Sequence, residues 1–207
     1  MGMNRCAALL IGLLAAAGAG LAQDFSYYLL SLSYAPDFCD QPNVRKNSRE
    51  CDGNTGFVVH GLWPQSDSGR GPEGCGSASP VARDIVRQML NYIPTESLIQ
   101  HEWETHGTCS GLSAADYFVL VRKARDAVKI PSNLSRPQRE MDLSPAQIES
   151  EMAAANPSFP KGAFRVSCYR DNELQEIRVC FNKDLSPRDC GASAGRCRAT
   201  VILKPVR

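Results

Sequence analysis

The sequence predicts a single α+β domain, in which a central, largely antiparallel sheet is packed with helices and stapled by disulfides. Three observations lead there. Strand-like and helix-like segments do not alternate strictly along the chain, as a doubly wound parallel sheet would require. The 207 residues, 43% hydrophobic and 22% charged, suit one core and exclude a disordered or fibrous chain. Nine cysteines, eight of them behind a leader-like N-terminus, point to an oxidising compartment.

The elements follow in order. Residues 1–22 (MGMNRCAALLIGLLAAAGAGLA) read as a secretory leader, with Arg5 at its basic start and Gly20-Leu21-Ala22 as a small-x-small cleavage site. The apolar run is rich in Ala and Gly and lacks the basic flank of a stop-transfer anchor. The domain is then residues 23–207. No later segment has the roughly 18 apolar residues of a membrane span, so no membrane association is expected after cleavage. Residues 25–33 are aromatic-rich and read as a strand. Residues 37–55 are polar with two cysteines, a stapled loop. Residues 56–60 (GFVVH) form a short buried strand ending on a histidine, and 64–79 form a long Gly, Ser and Pro loop.

Ser79-Pro80 supplies an N-cap and an N1 proline for a helix to about Tyr92. Ser113 caps a second helix, to about Lys129, with an apolar stripe of Tyr117, Leu120, Val121, Ala124 and Val128. Ser144-Pro145 with Gln147 opens a third, ending near Asn156. Residues 164–168, 174–181 and 199–204 read as strands. In the middle one, apolar residues are interleaved with Gln, Glu and Arg.

Removing the leader removes Cys6 and leaves Cys39, Cys51, Cys75, Cys109, Cys168, Cys180, Cys190 and Cys197. An even number in an exported chain implies four disulfides, and spacing alone does not choose among the 105 pairings of eight cysteines. None of the eight is spaced CxxC, which disfavours a zinc knuckle. Without Arg5, 22 basic residues face 22 acidic ones, which excludes a strongly basic nucleic-acid packager. The balance is uneven: residues 24–160 hold 12 basic and 17 acidic, residues 161–207 hold 10 basic and 5 acidic. The basic end suits a solvated face or a local attraction for an anionic ligand.

All three histidines, and both tryptophans, fall in two short segments, FVVHGLWPQ (57–65) and HEWETHGTCS (101–110). Imidazoles titrating near pH 6.5 suit proton transfer in both directions. The second segment resembles a zinc HExxH motif, but His101 and His106 are five apart, roughly 140° round a helix, where one metal needs four apart. No serine sits in a GxSxG elbow. What remains is general acid–base chemistry by paired histidines beside Glu102, with no metal and no cofactor. That combination suits a substrate carrying its own nucleophile, and RNA is one: its 2′-OH attacks the adjacent phosphorus. DNA lacks that hydroxyl and is not expected to react.

At these residues the chain resembles the T2 family of ribonucleases, which are secreted, disulfide-bonded and weakly base-specific. The resemblance is densest over about 20 residues in FVVHGLWPQ and HEWETHGTCSGL. It implies that His60 is the general acid toward the 5′-oxygen, His106 the general base on the 2′-OH, His101 the phosphate-binding histidine, and Glu102 a carboxylate assisting the transition state. The first product is then a 2′,3′-cyclic phosphate, which water opens more slowly to a 3′-phosphate. Many members carry Lys where this chain has Thr105. A hydroxyl replaces a charge there, so activity is expected to persist with another cation serving or at a lower rate.

Trp63 resembles a base-stacking residue, and Gln65 stands where some relatives have Asp on the base; an amide that donates and accepts fits little base preference. Asn91, Tyr92 and Leu98 are placed at a second base site. The pairing implied is Cys39–Cys51, Cys75–Cys109, Cys168–Cys197 and Cys180–Cys190. Single-stranded RNA is the expected partner, for a monomer that is periplasmic or secreted; Asn133-Leu134-Ser135 is a glycosylation sequon only in a eukaryotic route. The alternatives are an RNA-capturing protein with weakened catalysis and a secreted zinc hydrolase.

Overall fold

The structure, a computed structural model, describes residues 24–206 except 45, 47, 192–194, 196, 198 and 199. The leader expected over residues 1–22 and the start of the strand expected at 199 lie outside the described residues. In chain order the elements are β1 (Tyr27–Tyr34), α1 (Ala35–Asp40), β2 (Phe57–Gln65), α2 (Arg83–Met89), α3 (Glu96–Thr105), α4 (Ala114–Asp126), α5 (Ser132–Ser135), β3 (Met141–Leu143), α6 (Pro145–Ala155), β4 (Phe164–Cys168), β5 (Leu174–Phe181) and β6 (Val201–Leu203).

The main sheet has the order β2-β1-β5-β4, and every neighbour is antiparallel. Alternation along β1 assigns the faces. Tyr28, Leu30, Leu32 and Tyr34 point into the main core, where Val86, Met89, Ile99, Tyr117, Phe118, Val121, Ile148 and Met152 from the helices cover them. Tyr27 and Leu29 point the other way, to a small cluster with Cys180, Cys190 and Trp63. That second face carries the polar side chains of the site.

Four disulfides join Cys39 to Cys51, Cys75 to Cys109, Cys168 to Cys197 and Cys180 to Cys190. α6 opens on a complete capping box between Ser144 and Gln147, and the Ser113 hydroxyl caps α4 by accepting from Asp116 N.

Local chemistry accounts for the departures from expectation. Residues expected as the start of a loop form α1, whose Pro36 fits a first helical turn and whose buried Asp37 accepts from Leu174 N and Lys204 N. α2 begins at Arg83, not Pro80. Val81 N donates to the Gln100 side chain across from it, at 2.8 Å, so residues 79–82 lie extended against α3. α4 also buries Phe118, which packs edge-on to Tyr117 at 5.1 Å, while Leu120 lies half-buried against the same core. The last strand pairs with β3 in a separate two-stranded ladder. β2 does not stop at His60.

Candidate active site

The continuation of β2 through His60 creates the site. Opposite it, Ser31 of β1 pairs with Gly61 and Leu32 pairs with Val59, so His60 is the extra residue of a β-bulge. Val59 and Leu62, three apart, would face opposite sides of a regular strand; the slip lets both enter the core. It also leaves His60 at the open face with its side chain 35% exposed. Pro64 is tolerated because β2 is an edge strand.

α3 brings the second segment across this face. Thr95 caps it, its hydroxyl accepting from Leu98 N at 3.2 Å. Successive residues on a helix sit about 100° apart, and here Glu102 is buried while its neighbour His101 is exposed. The helix ends at His106, whose N–H donates to Glu102 O, and a 3-10 turn, Gly107–Ser110, follows. A Cβ on Gly107 would lie 2.3 Å from the Trp103 ring, so the turn closes only with glycine. Cys109 in the turn bonds to Cys75, and Gly74 N donates to Thr105 O. These contacts fix the loop after β2 to the end of α3.

Trp63 stands at the centre. Its ring centroid lies 5.2 Å from that of His60, edge to face, and 5.3 Å from that of His106. Its Nε1–H donates to Glu102 Oε2 at 2.8 Å. A Cβ on Gly61 would fall 1.8 Å from that same oxygen, so Gly61 is what admits the carboxylate. Glu102 Oε1 lies 3.7 Å from His60 Nε2 and makes no hydrogen bond. The other His60 nitrogen, Nδ1, is 2.9 Å from Glu176 Oε1 of β5. Glu176 is buried and accepts from Arg178 Nε at 2.9 Å through its other oxygen. The Arg178 guanidinium lies 5.9 Å from the Trp63 ring centroid.

These contacts set the charges. Burial pulls His60 down, but the Glu176 hydrogen bond and the charges of Glu102 and Glu176 outweigh it, and its pKa is raised. Burial lowers His106 to about 4, helped by the nearby His101 and His60; its Nδ1 is buried without a partner. Burial lifts Glu102 to about 7 against the opposing pull of His60 and Trp63. Burial works upward on Glu176 too, yet the His60 and Arg178 contacts hold it low. One histidine is thus held toward its cation and the other toward its neutral form, the pairing that an acid and a base require.

His60, Trp63, Glu102 and His106 therefore meet in one cluster. His101 borders it, its Nδ1 3.4 Å from the Thr105 hydroxyl. A cleft of about 370 Å³ opens beside His60 and His101, with Glu50, Val58 and Leu98 in its walls. A second, of about 170 Å³, shares Glu50 and Val58 and is bordered by Asn91 and Tyr92. Gln65 lines neither; it ends β2, with its carbonyl accepting from Ser26 N. Among the described residues no group of three or more His, Cys, Asp or Glu is arranged to hold a metal ion. Sequence reasoning missed Glu176, Arg178 and Glu50. The signal for the first two was a Glu and an Arg two apart in a strand, hence on one face.

The model of the Ribonuclease T2 family matches residues 25–190. The chain belongs to that family. It is 32% identical to a ribonuclease of Aeromonas hydrophila, over 80% of this chain and 75% of that protein. It is 30% identical to a probable ribonuclease of Haemophilus influenzae, over 79% of this chain and 60% of the relative. The fold is that of RNase NT, solved in complex with 5′-AMP: TM-score 0.71 at 19% identity, over 88% of this chain and all of that one. The protein is a T2 ribonuclease and an RNA endonuclease, built on the antiparallel, disulfide-stapled sheet of that family.

Proposed function

We propose that this T2 ribonuclease cleaves single-stranded RNA by transesterification, with histidines alone moving the protons and no metal taking part. The observation that carries this reading is the pair of oppositely shifted histidines on either side of Trp63. His106, neutral above about pH 4, takes the 2′-OH proton. The 2′-oxygen attacks phosphorus, the bond to the 5′-oxygen breaks, and His60 Nε2 gives that oxygen its proton. His101, at the rim, binds the phosphate. Glu102, Oε1 lying 3.7 Å from His60 Nε2, assists at the transition state. The product is a 2′,3′-cyclic phosphate; water then opens it to a 3′-phosphate with the two histidines exchanging roles.

Bases lie against Trp63 and Gln65 on one side and Asn91, Tyr92 and Leu98 on the other, and the contacts give little base preference. The walls bordered by Leu98, Asn91 and Tyr92 support the second of these sites; 5′-AMP in the RNase NT structure supports nucleotide binding on this fold. The leader-like sequence of residues 1–22 supports export to the periplasm or beyond, and the exported protein is a monomeric domain of residues 23–207. No helix among the described residues is long and apolar enough to cross a membrane.

The test is digestion of RNA and DNA by the oxidised protein in excess EDTA, with product ends identified. Cyclic phosphate ends on RNA and intact DNA are expected. Cleavage that returns only with added metal would overturn the mechanism. RNA binding without cleavage from pH 4 to 8 would favour the capture reading instead.

A further inference from the structure

Glu176 belongs to neither signature segment, yet it is the residue bonded to His60. It sits on β5, 116 positions along the chain from His60, and reaches it because Glu176 pairs with Ser33 across β1 while the bulge turns His60 toward the same face. Its carboxylate is fully occupied. One oxygen is 2.9 Å from His60 Nδ1 and the other accepts from Arg178 Nε at 2.9 Å. A buried carboxylate is costly unless paired, and here the pair is a histidine that must itself be held in one orientation. The groups facing His60 are Glu176 and Arg178 from β5, Glu102 from α3, and Glu50 from the loop before β2, with His106 beyond Trp63. Those facing Glu176, besides His60 and Arg178, are Glu102 and the Tyr169 phenol.

We propose that Glu176, clamped by Arg178, is a positioning residue for His60, accepting a hydrogen bond from its Nδ1–H so that the Nε2–H faces the departing 5′-oxygen. This rests on the assignment of His60 as the acid. Nδ1 alone faces Glu176; were Nδ1 the unprotonated nitrogen, two acceptors would meet across 2.9 Å. The Glu176–Nδ1 contact therefore fixes the tautomer of the neutral ring and stabilises the imidazolium. Arg178 leaves Glu176 no second rotamer without breaking its own bond. The proton ledger is unchanged: Nε2 loses one proton to the 5′-oxygen and Nδ1 keeps its own throughout.

The experiment compares two substrates, a dinucleoside phosphate, whose alkoxide needs a proton to leave, and a nucleoside 3′-(4-nitrophenyl phosphate), whose phenolate does not. In Glu176→Gln the ratio of kcat on the first to kcat on the second should fall by about 10–100-fold, the range for a group that orients a reacting side chain. The alkaline limb of the dinucleotide pH profile should move to lower pH, since the imidazolium loses its partner. Glu176→Asp should restore part of the ratio. A purely structural role would lower both rates together and leave the ratio and the limb in place, which would overturn the proposal.

His60→Gln separates the two levels. If it does not lower the ratio, the acid assignment itself is wrong. If it lowers the ratio and Glu176→Gln does not, only the Glu176 role fails. Should the Glu176 variants not fold, the ring-nitrogen ¹⁵N shifts of His60 in the unsubstituted protein decide the matter. Above its titration Nδ1 should carry the proton; a proton on Nε2 alone would overturn the proposal.

Discussion

Gly61 is where two segments far apart in the chain are allowed to touch. Any side chain there meets Glu102 Oε2, with its Cβ 1.8 Å away. The carboxylate must then leave the Trp63 Nε1–H, its only hydrogen-bond donor among the described contacts. Gly61→Ala should therefore lower kcat/KM by about 100-fold or more and destabilise the fold by about 1–3 kcal/mol, the cost of a buried polar group left unpaired. Steady-state kinetics beside urea denaturation would show it; a near-wild-type rate would mean that the Glu102–Trp63 contact is dispensable. Thr105 makes the opposite case. Its hydroxyl reaches His101 Nδ1 at 3.4 Å, the long edge of a hydrogen bond, and brings no charge. Thr105→Lys should raise kcat, by up to about 100-fold if charge at that position limits the rate; unchanged turnover would show that the existing cations suffice. The histidines predict the pH profile. His106 must be neutral and loses activity as pH falls through about 4. His60 must be protonated and loses it as pH rises through its raised pKa, above the ordinary 6.5. kcat/KM should be a bell centred on mildly acidic pH, and an optimum above pH 8 would contradict the assignment of acid and base.

At the scale of elements, the bulge in β2 and the clamp at the end of α3 carry the site. The disulfide Cys75–Cys109 closes 34 residues, against 10 for Cys180–Cys190. On chain entropy alone, removing the first should cost about 4 kcal/mol and the second about 3. The first should also lower activity, because it holds the loop whose Gly74 N–H bonds to Thr105 O. Urea denaturation of the two double-alanine variants, with rates on dinucleoside phosphates, would test both halves; the reverse order of stabilities would place the effect in the folded state. These elements also mark how far the sequence could be read. β1 is legible from its run of aromatic residues, although it is buried on both faces, β5 from apolar residues interleaved with Gln, Glu and Arg, and α4 and α6 because Ser113 and Ser144 announce their starts. The two histidine segments were legible as chemistry because they concentrate His and Trp. The bulge was not: an inserted residue breaks the period that defines a strand, so GFVVH looked like an end. Glu176 was not either, since its partner is 116 residues away and no local pattern encodes a pairing at that range.

At the scale of the whole molecule, the shifted groups couple folding to pH. Asp37 sits buried at the start of β5, and burial, with the charge of Glu173, lifts it to about 7; burial lifts Glu102 to about 7 as well. Both would titrate near 4 in the unfolded chain. Between about pH 4.5 and 6.5 the folded protein thus keeps two protons that the unfolded chain has released. His106 acts the other way: unfolded it is charged below about 6.5, folded it stays neutral down to about 4. These three groups together retain about one net proton on folding, and Glu50 and Glu149, also raised by burial, add to it, so stability should fall by at least about 1.4 kcal/mol for each pH unit gained across that window. Above it His60, raised in the fold, continues the loss. Glu176, held low, contributes the opposite slope only below about pH 4.5. Urea midpoints should accordingly be higher at pH 5 than at pH 7.5. Asp37→Asn removes one of the retained protons and should flatten the profile between 4.5 and 6.5, leaving Glu102, Glu50 and Glu149 against His106. It should do so even though the amide, facing both Leu174 N and Lys204 N, lowers stability at every pH. If the variant keeps the wild-type slope, the pH dependence resides in the active site and not at Asp37. In either case the fold is firmest where the two histidines hold the protonation states that catalysis needs.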